Sequence, residues 1–451
     1  MPPVLVELRP NCGKCDTLQM SIDLSWKHMR IIIVADNAST RFGGEAFIPL
    51  NYFRLLRARN VEVRLVVHAR NKAELIARFP EDQDRLYFVE DTRLHKALFG
   101  LGQFLPRRLA EATTGLIIHL TTQLSQRHIV RDLIKTHSID VVHQPIPVSP
   151  KTPSQICRLG VPVIIGPLNG GMEYPPAFRG EQGLLSRVAL LFGRALANLS
   201  NLLIPGKRLA RLILVANRRT RDALPVGING PIVEVVENGV DLDIWRKASS
   251  RTPDASVRFV FVGRLIDWKA VEIVLEALHR LQGQISASLE IIGDGPMRQT
   301  WETLTDELGL KPVVTFSGFM SQQDCAERLK SADVLVLPSL FECGGAVVLE
   351  AMAMGLPVIA TAWGGPLDYL DECCGILVAP DSREALVAGF AAGMKALAQS
   401  TQLRTKLGEA GYARARQHFD WQRKIDQILE LYQLAQQPAE PTKDATQQVR
   451  L

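Results

Sequence analysis

The sequence predicts an α/β protein made of two Rossmann-like halves, and three observations carry that expectation. Its 451 residues exceed one ordinary core and suit two domains of roughly 200 residues each. Short apolar runs alternate with longer amphipathic stretches, the pattern of β-α-β units around a parallel sheet. The apolar runs are continuous rather than alternating, as expected of strands covered on both faces.

In the first half the expected strands are Ile31–Ala35, Val61–Val67, Val141–His143, Val161–Gly166 and Leu212–Ala216. In the second they are Arg258–Val262, Ser288–Ile292, Val313–Ser317, Val334–Leu337, Pro357–Ala360 and Gly375–Val378. Leu386–Leu397 and a segment ending Leu429-Glu-Leu-Tyr432 read as helices. The turn-rich stretch Val236-Glu-Asn-Gly-Val-Asp241 separates the halves, giving domains over residues 29–238 and 239–415. Residues 1–28 precede the first recognisable element, Met29-Arg-Ile-Ile-Ile-Val-Ala-Asp36. They are expected to be a poorly ordered extension, or to lie upstream of a true start at Met29. Residues 437–451 are rich in Gln, Pro, Ala and Thr, a composition that favours disorder.

Composition narrows the function classes. The net charge of +5 is modest for this length and no dense Lys/Arg tract is interleaved with aromatics, so no nucleic-acid partner is expected. Seven cysteines without paired spacing argue against a disulfide framework, and the lone Cys12-x-x-Cys15 is a weak zinc signal. The longest uncharged runs are broken by Gly and Pro, and the N-terminus lacks a signal-peptide pattern, so a cytoplasmic location is expected.

The most informative stretch is Val334-Leu-Val-Leu-Pro-Ser-Leu-Phe-Glu342-Cys-Gly344-Gly345-Ala-Val-Val-Leu-Glu350-Ala-Met-Ala. A strand ends in a loop carrying Glu342, two glycines follow, and then an apolar helix. Glu350 is the only charged residue between Glu342 and Asp368, so this helix is expected to be buried. A lone buried carboxylate needs a partner, either a ligand hydroxyl or a distant Arg or Lys of the core. Gly344 and Gly345 suit close approach of helix N-terminal amides to an anion. This stretch resembles the GT-B fold glycosyltransferases of family four (the group 1, E-x7-E retaining type), through Glu342, Gly345, Leu349-Glu-Ala-Met-Ala353 and Gly355-x-Pro357-Val358. The resemblance implies two Rossmann-like domains facing across a cleft. It also implies that Glu342 touches hydroxyls of the transferred sugar and that Glu350 holds the nucleotide ribose.

The second half opens with Phe261-Val-Gly-Arg264-Leu-Ile-Asp-Trp-Lys269. An Arg and a Lys five residues apart after a strand can converge on one diphosphate, or can be two solvated surface cations. By resemblance they neutralise the departing diphosphate, although Ala270 stands where the family usually has Gly. Gly293, Gly295 and Phe319 follow later strands and by resemblance line the nucleotide.

In the first half, Asn37-Ala-Ser-Thr-Arg-Phe-Gly43-Gly44 is either an ordinary β-α turn or, as the resemblance implies, a glycine loop that approaches the donor. His143 ends an expected strand; it is either structural or, by resemblance, near the transferred sugar. Asn169, Gly170 and Gly171 look like a loop that shapes an acceptor pocket. Residues 182–221 lack Asp and Glu but carry Arg187, Arg194, Lys207, Arg208 and Arg211 among leucines. They read either as a core-packed helix with a cationic face or, over 184–211, as a peripheral contact with an anionic membrane. By resemblance, residues 416–436 form a terminal helix crossing back to the first domain.

The resemblance thus implies a retaining transferase of the hexosyltransferase type. It would move a sugar from a nucleoside diphosphate sugar to a hydroxyl of a glycan or lipid-linked acceptor, in polysaccharide or glycolipid synthesis. No metal or other cofactor is required, because cations already cover the phosphates, and the Asp-x-Asp strings at Asp82–Asp84 and Asp241–Asp243 read as coincidental. Two other readings remain: a GT-B epimerase, and a silent sugar-nucleotide binder. An NAD-dependent oxidoreductase is disfavoured because no Gly-x-Gly-x-x-Gly follows the first strand.

Overall fold

A computed structural model describes residues 5–6, 26, 28–40, 44–104, 111–181, 197–247 and 256–438. They form two compact units, each with its own parallel sheet. The first contains residues 1–171, 189–237 and 425–451; the second contains 172–188 and 238–424.

The sheet of the first unit has eight strands: β1 (Leu5–Val6), β2 (Arg30–Val34), β3 (Glu62–His68), β4 (Leu86–Val89), β5 (Val141–Gln144), β6 (Val163–Leu168), β7 (Leu212–Val215) and β8 (Ile232–Glu234). Their order is β1-β8-β7-β6-β5-β2-β3-β4, with every pairing parallel. Ile31, Ile32, Ile33 and Val34 are all fully buried, as strands sandwiched between helices must be. One core layer packs Ile32, Val34, Val142, Ile165 and Ile213 against Val130 and Leu133 of the helix Leu116–His137.

The second unit contains β9 (Val257–Val262), β10 (Ala287–Ile292), β11 (Val314–Gly318), β12 (Val334–Leu337), β13 (Val358–Thr361) and β14 (Gly375–Val378). Their order is β11-β10-β9-β12-β13-β14, again all parallel. The chain builds outward from β9 to one edge, returns, and builds outward from β12 to the other. The two strands of that reversal lie side by side at the centre, which makes their carboxyl ends the ligand-binding position of a doubly wound sheet. Helices Val271–Arg280 and Arg383–Gln399 are joined by two forked ion pairs, Arg383 with Glu276 and Arg280 with Glu384.

Every expected strand is present within two residues of its expected bounds. Three strands were not expected: β1, β4 and β8, which have two, four and three residues. β4 lies on the sheet edge between Asp84-Arg85 and Glu90-Asp91, where charge obscures the apolar pattern. β1 falls within the segment expected to be poorly ordered, yet Leu5 and Val6 pair with Ile232 and Val233. Cys12 and Cys15 lie outside the described residues, as does the tail from 439. The terminal helix Trp421–Gln436 belongs to the first unit from Ile425 onward. Among the described residues no helix is long and apolar enough to cross a membrane.

Candidate functional site

The site in the second unit grows from the exits of β9 and β12. After β9 the chain turns at Gly263 and is pinned by Leu265, which is fully buried. Leu265 donates its amide to the Asp294 carbonyl and accepts the amide of Met297 at its own carbonyl. Anchored in this way, the loop leaves Arg264 exposed, its carbonyl accepting the Ile266 amide and its guanidinium making no hydrogen bond or ion pair among the described residues. A short helical turn, Asp267–Lys269, then ends at Ala270, whose φ of 48° is left-handed. Glycine fits that conformation without steric cost, whereas alanine is strained there.

After β12 the chain runs through Pro338 and Ser339 to Leu340, whose amide donates to the Trp268 carbonyl at 2.8 Å. This bond ties the two central loops together. Directly beyond it, Lys269 and Glu342 form an ion pair whose side chains are each only 13 % exposed. Glu342 lies against Gly345, which has φ 78° and precedes the helix Ala346–Ala353. A Cβ on Gly345 would stand 3.0 Å from the Glu342 Cγ, so glycine there leaves room for the carboxylate. The loop Trp363-Gly-Gly365 closes the other side, with the Gly365 amide on the Glu342 carbonyl at 2.6 Å. That glycine pair follows β13, and no motif of the sequence marks it as part of the site.

Glu350 sits on the helix as expected, and the helix buries Val348, Leu349, Ala351, Met352 and Ala353. Part of Glu350 remains accessible, yet the protein around its carboxyl raises its pKa to about 8 by desolvation, opposed by a hydrogen bond with the Gln322 side chain. Gln322 begins the helix Gln322–Leu329, and no sequence pattern announces it as a partner. The Cys325 thiol on the same helix is pushed up to about 12, by burial first and then by Glu350 and Glu290, which leaves it inert at neutral pH.

Phe319 follows β11 and is 80 % exposed, a free aromatic face at the carboxyl edge of this sheet. For Gly293 and Gly295 the structure supplies a reason different from ligand approach. A Cβ at Gly293 would stand 1.9 Å from the Gly263 carbonyl oxygen, and one at Gly295 would stand 2.3 Å from that of Leu265. These glycines are required because two protein loops touch there.

The residues singled out in the first unit fare differently. Gly43 lies outside the described residues, while Gly44 opens the helix Gly44–Ala58, with nothing within 4 Å of an added Cβ. His143 is corrected to a core residue: it is fully buried, and both ring nitrogens are engaged. Its Nε2–H donates to the Gly166 carbonyl at 2.6 Å, which leaves Nδ1 to accept from the Tyr432 hydroxyl at 2.7 Å. Burial drives its pKa down to about 4, with the Gly166 bond opposing. Asn169 is likewise buried and donates to Glu237 at 2.5 Å. A Cβ on Gly170 would meet Pro150, and one on Gly171 would meet Ala223 and the Arg219 carbonyl. These three pack their loop against the rest of the first unit.

Lys207, counted above among the membrane-facing cations, is 2 % exposed and donates to the carbonyls of Ser149 and Pro150 at 2.8 Å each. Without a carboxylate partner, burial lowers its pKa to about 7. Arg187 and Arg194 lie outside the described residues.

Two parallel sheets, each doubly wound, with a charged site at the central strands of the second, define the class as a GT-B fold protein. The family model described as glycosyl transferases group 1 matches residues 245–414, which lie in the second unit. An uncharacterised glycosyltransferase of Methanocaldococcus jannaschii is 35% identical over 169 residues, 35% of this chain and 43% of that protein. A D-inositol 3-phosphate glycosyltransferase of Mycobacterium bovis is 32% identical over 246 residues, 50% of this chain and 48% of that protein. The chain therefore spans less than half the length of these relatives. Among solved structures, a glycosyltransferase from Rickettsia africae ESF-5 has a TM-score of 0.63 at 15% identity, covering 91% of this chain and all of that one. Anabaena Alr3699/HepE in complex with UDP has a TM-score of 0.61 at 17% identity, covering 90% of this chain and all of that one. Both share its fold.

Proposed function

We propose that the protein is a retaining glycosyltransferase that moves a sugar from a nucleoside diphosphate sugar to an acceptor hydroxyl. The observation that carries this reading is the cluster at the exits of β9 and β12: exposed Arg264, the Lys269–Glu342 pair and the glycine-led helix start. The barrier to glycosyl transfer is the separation of a cationic sugar from an anionic diphosphate. Arg264, Lys269 and the amides beyond Gly344 and Gly345 stabilise the charge that develops on the diphosphate. Glu342 then turns from Lys269 to sugar hydroxyls, Glu350 meets the ribose, and Phe319 offers a stacking face to the base. The leaving phosphate accepts the proton of the acceptor, so the protein needs no strong base and no metal.

The printed names of the relatives support this: one acts on D-inositol 3-phosphate, and HepE holds UDP. The acceptor is a glycan or a lipid-linked sugar, as in polysaccharide or glycolipid synthesis. A peripheral membrane contact belongs to this reading, carried by apolar residues: Leu199, Leu202 and Leu203 are 52%, 57% and 73% exposed. Co-sedimentation with anionic vesicles at low salt tests that part, and equal recovery with and without lipid would end it.

For the reaction, a panel of nucleoside diphosphate sugars is screened for a rise in melting temperature, because a ligand selective for the native state stabilises it. The stabilising donor is then assayed for release of nucleoside diphosphate. Release that depends on an added acceptor is expected. Epimerised donor with no release would replace transfer by epimerisation.

A further inference from the structure

The carboxyl ends of the first sheet carry a polar group that the donor reading does not use. In that sheet the order reverses between β2 and β5, so the position equivalent to the donor site is the exit of β2. Asp36 stands there. Its Oδ2 accepts from the Nδ1 of His119, on the helix Leu116–His137, at 2.5 Å. The Nε2 of His119 faces the side-chain nitrogen of Gln123 at 2.8 Å, and the Gln123 oxygen accepts the amide of Gln155 at 2.7 Å.

This chain of bonds has one consistent proton arrangement. A backbone amide can only donate, so Gln155 fixes the Gln123 oxygen as its acceptor and leaves the Gln123 nitrogen to donate. Donating to His119, that nitrogen requires a lone pair on Nε2. The imidazole is therefore neutral, with its proton on Nδ1 pointing at Asp36. The relay sets two side chains and a backbone amide to orienting one carboxylate. Unlike His143, which is sealed in the core, Asp36 and His119 reach solvent, with side chains 23% and 13% exposed. The second oxygen of Asp36 makes no hydrogen bond among the described residues, and the next residue, Asn37, has a buried side-chain oxygen with no partner. A carboxylate oxygen lacking a donor and reaching solvent at a sheet's ligand-binding edge suits the hydroxyl of a ligand, and it repels a phosphate.

We infer that Asp36 is a hydroxyl-binding carboxylate of the acceptor site, that His119 is its positioning residue, and that the part of the acceptor held here is an unphosphorylated polyhydroxy ring. This rests on the transferase reading but concerns different residues, so the two can fail separately.

Ligand-observed NMR on the full chain with D-glucose, D-mannose, D-galactose and myo-inositol tests it, alongside melting curves with UDP. At least one ring compound should bind saturably to the wild type. Loss of a charge-assisted hydrogen bond should weaken that binding about 10- to 100-fold in Asp36→Asn. His119→Ala should weaken it similarly. His119→Asn, which keeps a donor near the Nδ1 position, should restore it to within about threefold of wild type. Stabilisation by UDP should be the same in all four proteins, which also establishes that each is folded. Binding of no ring compound, or binding indifferent to Asp36→Asn, overturns the inference. Binding to His119→Ala as tight as to His119→Asn removes the positioning role. If UDP stabilises none of the four while a ring compound binds through Asp36, the donor reading fails and this site stands.

Discussion

Replacing Glu350 by glutamine removes an ionisable group whose native environment disfavours its charge. The folded pKa of about 8 stands above the ordinary 4.5, so the native state holds this proton more tightly than the unfolded chain does. The contribution to stability is then fully present below about pH 4.5, declines as the pH rises, and is lost above about pH 8. A gap of about 3.5 units at 1.36 kcal/mol each sets a ceiling of about 5 kcal/mol on the total loss. Between pH 6 and pH 9 the same two values give about 2.7 kcal/mol. Part of Glu350 is accessible to solvent, and screening reduces the expected loss to about 1–1.5 kcal/mol. Urea unfolding at pH 6 and pH 9 reads it directly: the wild type should lose about that much more stability across the interval than Glu350→Gln. Equal losses in both proteins would show that the carboxylate is solvated, and would refute the claim that its enclosure sets its protonation.

Arg264→Ala should slow turnover about 100-fold or more, since it removes a donor to developing diphosphate charge, while denaturation midpoints stay within about 0.5 kcal/mol of wild type. Steady-state kinetics with the identified donor checks the first part, and near-normal turnover contradicts the role. Gly293→Ala drives a methyl group into the Gly263 carbonyl 1.9 Å away and should destabilise the protein by more than about 2 kcal/mol, measured by urea unfolding. His143→Ala leaves the Tyr432 hydroxyl and the Gly166 carbonyl without their partner and should cost about 3 kcal/mol. Activity per folded molecule should stay within about threefold; a hundredfold loss in a well-folded variant would return His143 to the reaction.

The strands were legible because each is an unbroken apolar run, and the loops of the candidate site because their charged residues are rare within apolar surroundings. Glu350 stood out for being alone, and the structure gives it the enclosed position that solitude implied. The failures have one cause. His143, Asn169 and Lys207 are polar residues at loop or strand ends, and sequence alone cannot say whether such a residue meets solvent or other protein groups. In each case the partners come from distant segments: Tyr432, Glu237, and the carbonyls of Ser149 and Pro150. The same long-range dependence hid Asp36 and His119, which are 83 residues apart in the chain and share no motif. Gly293 and Gly295 have a packing reason as well, because a loop that touches another loop shows the same residue pattern as one that touches phosphate.

The pairing of Lys269 with Glu342 gives the resting site an internal counter-ion. With Glu350 protonated near neutral pH, the four charged-type side chains sum to a single positive charge, borne by Arg264. In the proposed reaction an arriving diphosphate would swap one anionic neighbour of Lys269 for another instead of meeting two bare cations. On that proposal the exchange would free Glu342 as the sugar arrives beside it, so that occupancy by the nucleotide and readiness to grip the sugar would become one event.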